Sequence, residues 1–240
     1  EFEQAQMASL SLWLQPKGPE TAAPLAEFLP KGSHDNPRTF ADGLGLWFSL
    51  PEFSLRMPFS PVDFTQVNFA VNRRLVYKAV QLLEVQPRDR VVDFFCGLGN
   101  FSFALARHAA HVLGFEGSQP LVAKAKANAE MLKLAEKTSF EVSNLFELDR
   151  AWLDGLGRVD RALIDPPREG AQALAQALAE QSLEGHGPQR LVMVSCNPST
   201  LARDAAILVH KGRWQLSKAG VANMFPQTAH VESIAVFDRL

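Results

Sequence analysis

The chain has 240 residues, of which 47% are hydrophobic and 21% are charged, and its formal net charge is −2. These values are typical of a globular protein with one large domain, or one domain and a small annex. No apolar run reaches the ~18 residues of a transmembrane helix, so we expect no membrane partner. The near-neutral charge gives no sign of a nucleic-acid binder, because such proteins are usually basic on the binding face.

The cysteine content bounds the redox setting and the metal chemistry. Cys96 and Cys196 are the two cysteines, and they lie far apart in the sequence. A disulfide framework would use more cysteines, and a zinc or iron–sulfur site needs about four ligands. We therefore expect no metal site and a reducing, cytoplasmic location.

The first sixty residues have an irregular pattern. Residues 10–14 predict a strand, and a Pro/Gly-rich stretch follows. Residues 46–50 and 53–57 predict two strands around Pro51, hence a hairpin. This region is more typical of an appendage than of a self-sufficient core.

From about residue 66, helix and strand patterns alternate. Apolar residues at helical spacing predict helices over 68–84, 101–110, 121–134, 171–180 and 199–209. Short buried-strand patterns occur at 90–95, 111–115, 138–142, 161–165 and 190–195, with closing strands at 214–219 and 233–237. This alternation predicts an α/β fold with a doubly wound, mainly parallel sheet.

A glycine-containing loop follows the strand at 90–95. Gly97 and Gly99 would let a ligand approach the backbone between that strand and the next helix. A dinucleotide site would have a third glycine where Ser102 stands. Glu116 ends the next strand, where a carboxylate can accept hydrogen bonds from both ribose hydroxyls. The pattern favours a bound cofactor over an ordinary tight turn, and it fits S-adenosylmethionine as well as NAD.

Cys196 lies directly after a predicted strand and before a predicted helix. The positive end of the helix dipole predicts a lowered thiol pKa and a reactive thiolate there. The alternative is a small buried apolar residue, which is the stronger interpretation for Cys96 inside the glycine loop. Glu232 is either a surface residue or a catalytic base, and His230 is equally ambiguous; the pattern alone does not decide.

Five segments then occur in the order found in one protein family. They are FTQVN at 64–68, DFFCGLGNF at 93–101, DPPR at 165–168, VSCNPSTLARD at 194–204 and MFPQTAHVE at 224–232. Together they resemble the RNA uracil-C5 methyltransferases, most closely the type that acts on 23S ribosomal RNA. The resemblance runs from about Leu12 to the end of the chain.

The resemblance implies a Rossmann-like class I methyltransferase fold, S-adenosylmethionine as cofactor and RNA as partner. It implies a monomer that methylates C5 of a uridine through an adduct between a cysteine and C6 of the base. Cys196 would be the nucleophile, and Glu232 would be the base that removes the C5 proton. The cofactor pocket would contain Gln66, Phe95, Asn100, Glu116, Asn144 and Asp165, with Asp165 at the junction of cofactor and uracil.

Members of this type usually also carry an N-terminal RNA-binding β-barrel and a four-cysteine iron–sulfur site. With two cysteines, no such cluster is expected here. We interpret the sequence as part of a longer protein, with residues 1–60 as the remnant of a central domain and 61–240 as the catalytic domain. The alternatives are a uracil methyltransferase acting on tRNA, a methyltransferase for small molecules or amino groups, and an RNA-binding remnant without activity.

Overall fold

A computed structural model describes residues 13–14, 21, 23–24, 46–60, 63–228 and 230–240. These residues fall into two compact units. One holds the described residues up to 48 together with 58–60 and 63–65; the other holds 49–57 and the described residues from 66 onward. The division at residue 60 into a central-domain remnant and a catalytic domain stays a prediction.

The N-terminal part contains two short strand pairs. Strands β1 (Trp13–Leu14) and β2 (Ala23–Pro24) pair antiparallel. Of the strand predicted over 10–14, the last two residues are confirmed, and residues 10–12 lie outside the described part.

The predicted hairpin around Pro51 is confirmed. Strands β3 (Leu46–Leu50) and β4 (Leu55–Phe59) form a two-stranded sheet. The second strand begins two residues later than predicted, because Pro51–Phe53 forms a 3-10 turn and Ser54 takes a positive φ of 53°. Proline suits the first turn of such a helix, since its missing N–H has no partner to satisfy there.

The larger unit alternates helices with strands. Its helices are α1 (Phe69–Leu83), α2 (Ser102–Ala106), α3 (Gln119–Met131), α4 (Arg150–Gly155), α5 (Gln172–Leu183) and α6 (Pro198–Lys211). Its strands are β5 (Arg90–Phe94), β6 (His111–Glu116), β7 (Thr138–Val142), β8 (Arg161–Ile164), β9 (Arg190–Ser195), β10 (Trp214–Ala222) and β11 (Glu232–Arg239).

The seven strands form one sheet in the order β10-β11-β9-β8-β5-β6-β7. Strands β5 to β9 are parallel, and β11 lies antiparallel between β9 and β10. The chain runs outward from β5 to β7 on one side and then returns to β8 on the other, so the strand order reverses between β5 and β8. The predicted doubly wound, mainly parallel sheet is confirmed.

The central strands are continuous apolar runs because both faces of the sheet are covered. On one face, α4, α5 and α6 contribute Leu153, Leu174 and Leu208 to a core cluster with the strands. On the other, α1 buries Leu75 and Leu83 and contacts β8, β9 and β11. Helices therefore cover both faces of the sheet.

One helix is shorter than predicted and one was not predicted; the bounds of the other four agree with the prediction to within three residues. The helix predicted over 101–110 is shorter, since α2 ends at Ala106 and the chain continues in turns closed on Leu105 O. Helix α4 was missed because its six residues are too few to display a helical period. Asp149 caps its start, and its Oδ1 accepts the Trp152 N–H at 2.9 Å.

Candidate active site

The polar side chains singled out from the sequence gather at one edge of the sheet. The parallel strands β5 to β9 all end there, and we call it the carboxyl edge; the opposite edge, where they begin, is the amino edge. Ligands of open α/β sheets bind beyond the carboxyl ends of the strands, next to the point where the strand order reverses. Because β11 is antiparallel, its first residue, Glu232, also lies at the carboxyl edge.

The glycine loop after β5 has an unusual backbone. Phe95, Gly97 and Gly99 have φ values of 64°, 52° and 92°. For a bulky residue such as Phe95 this left-handed conformation costs roughly 1–2 kcal/mol, and such strain concentrates at functional sites. A Cβ at Gly99 would lie 2.4 Å from the Phe103 ring, whereas one at Gly97 would meet nothing within 4 Å. Gly99 is therefore required by packing, and Gly97 leaves the loop open to a ligand.

Glu116, the last residue of β6, joins this loop to the next one. Its Oε2 accepts the Gly97 N–H at 3.2 Å, and its Oε1 accepts the Ser118 N–H at 3.0 Å. Both oxygens are thereby oriented at the carboxyl edge, beside the open side of Gly97.

Asn100 ends the loop and is bound to helix α1. Its side-chain amide forms a reciprocal pair with Asn72, with hydrogen bonds of 3.0 and 3.1 Å, and Asn72 is buried. The start of α1 is held in turn by Asn68, which caps the helix at the Val71 N–H and donates to Met224 O at 3.4 Å. Gln66 lies two residues before this cap. Sequence reasoning missed Asn72, because its partner is distant in the chain.

An aromatic pair lies beside the loop. The Phe95 and Phe146 ring centroids are 5.6 Å apart, and Phe146 is half exposed. Asn144 orders this segment, since its Oδ1 accepts the Phe146 N–H at 3.2 Å. Phe146 is not part of any of the five motifs; the sequence signal for it was an aromatic residue in a segment that also contains Asn144 and Glu147.

A buried carboxyl group lies beneath the loop. Asp93 is fully buried in β5, and its Oδ2 accepts the Ser102 hydroxyl at 2.5 Å. Its Oδ1 has no hydrogen-bond partner among the described residues. Burial raises the pKa of Asp93 to about 7, although the hydrogen bond from Ser102 opposes the shift. This group was missed because a carboxyl inside a strand is indistinguishable by pattern from an exposed one.

Cys196 and Glu232 are brought together by strand register. Ser195, at the end of β9, pairs with Ser233 of the antiparallel strand β11. Cys196 follows Ser195 and Glu232 precedes Ser233, so the two predicted reactive residues lie at the same end of this strand pair. Cys196 is partly exposed and Glu232 is buried. Burial raises the pKa of Glu232.

Asp165 follows β8 and completes this group. Burial of its carboxyl, together with the charges of Glu232 and Asp93, raises the pKa of Asp165 to about 8. The carboxyl groups of Asp93, Asp165 and Glu232 therefore share one property: each holds its proton to a higher pH than an exposed carboxyl.

The predicted lowering of the Cys196 thiol pKa is wrong. Burial, followed by the charges of Glu232 and Asp165, raises this pKa, and the positive charge of Arg168 opposes them. The helix start was visible in the sequence, but the two carboxyls come from other strands. Arg168 is a further residue that the sequence analysis did not single out.

The structure gives Cys96 and His230 no sign of a catalytic role. Cys96 is buried under the loop as expected, and burial raises its pKa strongly. His230 is exposed, with its ring 6.1 Å from that of Phe225. In the part of the chain that the structure describes, no group of three or more His, Cys, Asp or Glu side chains could hold a metal ion. Within the same residues, no helix combines the length and apolarity that crossing a membrane requires.

Comparisons with known sequences point to one family. The family described as tRNA (Uracil-5-)-methyltransferase matches residues 54–239. The chain is 56% identical over 228 residues to the 23S rRNA (uracil(1939)-C(5))-methyltransferase RlmD of Bordetella bronchiseptica, covering 95% of this chain and 46% of that protein. It is 52% identical over 237 residues to the protein of the same name from Cupriavidus pinatubonensis, covering 98% and 48%. The chain thus spans about half the length of the curated relatives it matches.

Solved structures agree on the fold. The Pyrococcus abyssi tRNA (uracil-54, C5)-methyltransferase, in complex with S-adenosyl-L-homocysteine, superposes with a TM-score of 0.66 at 27% identity, covering 80% of this chain and 44% of that one. TrmN from Thermus thermophilus superposes with a TM-score of 0.53 at 20% identity, covering 80% and 52%. Together with the strand order, these matches confirm the predicted Rossmann-like class I methyltransferase fold.

Proposed function

Because this chain belongs to the tRNA (uracil-5-)-methyltransferase family, we propose that it transfers a methyl group from S-adenosylmethionine to C5 of a uridine in 23S ribosomal RNA. The relatives named as 23S rRNA uracil methyltransferases, at 50–56% identity, support the choice of substrate. Their names specify uracil 1939, so the corresponding uridine is the target to test. The proposal includes a cytoplasmic, monomeric enzyme with RNA as its partner.

The residues at the carboxyl edge fit S-adenosylmethionine. The open side of Gly97 leaves room for a ligand against the backbone, and the Glu116 carboxylate beside it suits the two ribose hydroxyls. Phe95, Asn100, Asn144, Gln66 and Asp165 would complete the pocket. When bound, the cofactor supplies an electrophilic methyl group on a sulfonium.

The observation that carries the proposal is the placement of a thiol and a buried carboxyl on adjacent strand ends, at the edge where a cofactor fits. Uracil C5 alone is a poor nucleophile. In the proposed reaction the Cys196 thiolate bonds to C6, and the electrons of the C5–C6 double bond move toward O4, which makes C5 nucleophilic. C5 then accepts the methyl group and still carries its proton.

Glu232 would complete the reaction. Its carboxylate removes the C5 proton, the C5–C6 double bond reforms, and the bond between C6 and sulfur breaks to release the thiolate. A target uridine must leave its stack to reach these groups. Burial raises the pKa of Glu232, which makes its carboxylate a stronger base than that of an exposed glutamate.

A second candidate is the same chemistry on tRNA. The structural match to the Pyrococcus abyssi enzyme, named for uracil 54 of tRNA, favours it. The identity of 27% is about half of that to the 23S relatives, so we place ribosomal RNA first.

The test uses RNA that contains 5-fluorouridine at the target position, with S-adenosylmethionine present. Fluorine at C5 cannot leave as a proton, so a covalent complex between protein and RNA should persist on a denaturing gel. We expect it with a 23S fragment and not with a tRNA stem-loop, and we expect Cys196→Ser to abolish it while Cys96→Ser retains it. A complex with the tRNA alone would favour the second candidate. Methyl transfer without any complex, or retained by Cys196→Ser, would contradict the covalent route.

A further inference from the structure

A buried aspartate in the middle of α6 holds the segment that follows β8. Asp204 is fully buried, and its Oδ2 accepts the Ala171 N–H at 2.7 Å. Its Oδ1 accepts Arg203 Nε at 2.8 Å, and Arg203 Nη2 donates to Glu169 O at 2.8 Å. One carboxylate thus fixes the backbone of residue 171 directly and that of residue 169 through an arginine.

The same segment is held at Arg168. Arg168 O accepts Asn197 Nδ2 at 3.0 Å and the Thr200 hydroxyl at 3.3 Å. Asn197 is the neighbour of Cys196 in the chain. The backbone of Arg168 is therefore bound to the residue that directly follows Cys196.

Gly170 makes this close approach possible. It has a φ of 77°, and a Cβ there would lie 2.5 Å from Arg203 Nη2 and 2.6 Å from Asp204 Oδ2. Such a contact is shorter than real Cβ contacts, so a larger residue would force the segment or the Arg203 and Asp204 side chains to shift. Side chains from one turn and a half of α6 and its cap thus bind backbone groups of residues 168, 169 and 171.

We propose that Asp204 is a positioning residue, which acts through Ala171 and Arg203 to keep Arg168 beside Cys196. This inference rests on the proposed function, in which Cys196 must react as a thiolate. Of the charged groups that act on the thiol, Glu232 from β11 and Asp165 from β8 disfavour the thiolate, and Arg168 favours it. Keeping Arg168 in place offsets the two carboxyls, of which Glu232 takes up the proton later in the proposed reaction.

A purely structural role for Asp204 would give different results. Ala171 immediately precedes α5, so its N–H is one that a helix start leaves without a partner, and Asp204 could serve only to satisfy it. Loss of that bond would lower stability and leave the chemistry of Cys196 unchanged. The rate of Cys196 alkylation as a function of pH separates the two roles, because it depends on the thiolate and needs neither RNA nor cofactor.

Asp204→Asn keeps an acceptor for the Ala171 N–H and removes the charge that holds Arg203. Asp89→Asn is the matched control at the amino edge: Asp89 is also buried, accepts the Gln86 N–H at 2.8 Å and lies 3.8 Å from Arg161. We expect Asp204→Asn to move the alkylation profile of Cys196 to higher pH, with alkylation about threefold slower near neutral pH. Asp89→Asn should lower the melting temperature and leave the profile in place.

Arg168→Ala should produce the same displacement, and the Arg168→Ala/Asp204→Asn double variant should move the profile no further than either change alone. Arg203→Gln is the milder variant if Asp204→Asn does not fold, and it should move the profile in the same direction. Unmoved profiles in the folded variants, or additive shifts in the double variant, would overturn the inference. Methyl transfer by the unmodified protein is measured separately, so a failure of the proposed function is distinguishable from a failure of this inference.

Discussion

The two edges of the sheet differ in how their charged side chains are paired. At the amino edge, Arg90, Arg161 and Arg190 each begin one of the three central parallel strands. Arg190 binds Asp238 with two hydrogen bonds of 2.6 and 3.2 Å and lies 2.5 Å from Glu84.

At the carboxyl edge, Asp93, Asp165 and Glu232 form no ion pair with a lysine or arginine among the described residues. Burial raises the pKa of Asp93 to about 7 and that of Asp165 to about 8, and it also raises the pKa of Glu232. Asp238 at the amino edge shows the reverse: burial by itself raises its pKa, but hydrogen bonds from Arg190 and Ser217 hold the pKa below its usual value.

This difference separates two uses of buried charge. A paired carboxylate stabilises the native state, whereas an unpaired one reduces stability and gains a proton affinity near neutral pH, where acid–base chemistry operates. The ion pairs at the amino edge therefore stabilise the sheet. The unpaired carboxyl groups at the carboxyl edge lower its stability but are suited to acid–base chemistry. Three predictions test this division.

The largest expected effect follows from Glu232→Gln. Without a carboxylate to take the C5 proton, turnover should fall by roughly 10²–10⁴-fold. The bond to Cys196 should still form, so a covalent complex with ordinary uridine RNA should accumulate on a denaturing gel.

The same variant also tests the electrostatics. The charge of Glu232 helps to raise the Cys196 pKa, so Glu232→Gln should speed RNA-free alkylation of Cys196 near neutral pH. The Glu232→Gln/Cys196→Ser double variant should give no complex. Unchanged turnover in Glu232→Gln would show that Glu232 is not the base. The unpaired carboxyl at this position would then have no role in the reaction.

A smaller effect, of opposite sign at the two edges, should appear in stability against pH. The Asp93 carboxyl keeps its proton in the native state up to about pH 7, whereas the unfolded chain loses it near pH 4. Between these values the native state binds more protons, so the free energy of unfolding falls as pH rises. Asp93→Asn removes this loss, so the variant should gain on the unmodified protein by about 2–4 kcal/mol from pH 4 to 8.

Asp238→Asn is the comparison variant for urea unfolding at several pH values. Because the Asp238 pKa is lowered, its contribution is present above the unfolded-state pKa and is lost as pH falls. The variant should therefore be less stable at neutral pH and approach the unmodified protein in acid. Parallel curves for Asp93→Asn and the unmodified protein would mean that Asp93 is ionised throughout, and the contrast between the edges would fail there.

The strands of the sheet could be predicted from the sequence, whereas the environment of Glu232 and Cys196 could not. The strands of the sheet were predictable because short, continuous apolar runs such as 191–194 are typical of strands that are buried on both faces. The role of Glu232 was undecidable by pattern, since it depends on β11 running antiparallel to β9, a pairing between distant segments. The Cys196 pKa was predicted in the wrong direction for the same reason: the helix is local, whereas the two carboxyls are not.

The smallest expected effect tests whether the two edges are independent. Arg190 begins β9, and Cys196 directly follows its last residue, so about 20 Å of strand separates them. Arg190→Met leaves Asp238 without its arginine and should cost roughly 1–3 kcal/mol in urea unfolding. The free energy of unfolding of Arg190→Lys should lie between those of the unmodified protein and Arg190→Met. An ammonium keeps the charge but cannot reproduce the bidentate contact of a guanidinium.

Single-turnover methyl transfer, measured at a temperature where the Arg190 variants are folded, should stay within about twofold of the unmodified protein. The reason is that charges separated by more than a Debye length of roughly 8 Å are largely screened, and packing changes at the amino edge do not touch the Cys196 loop. A larger loss of methyl transfer in folded Arg190→Met than in Arg190→Lys would show that β9 transmits strain along its length. The amino edge would then set the position of the thiol as well as the stability of the sheet.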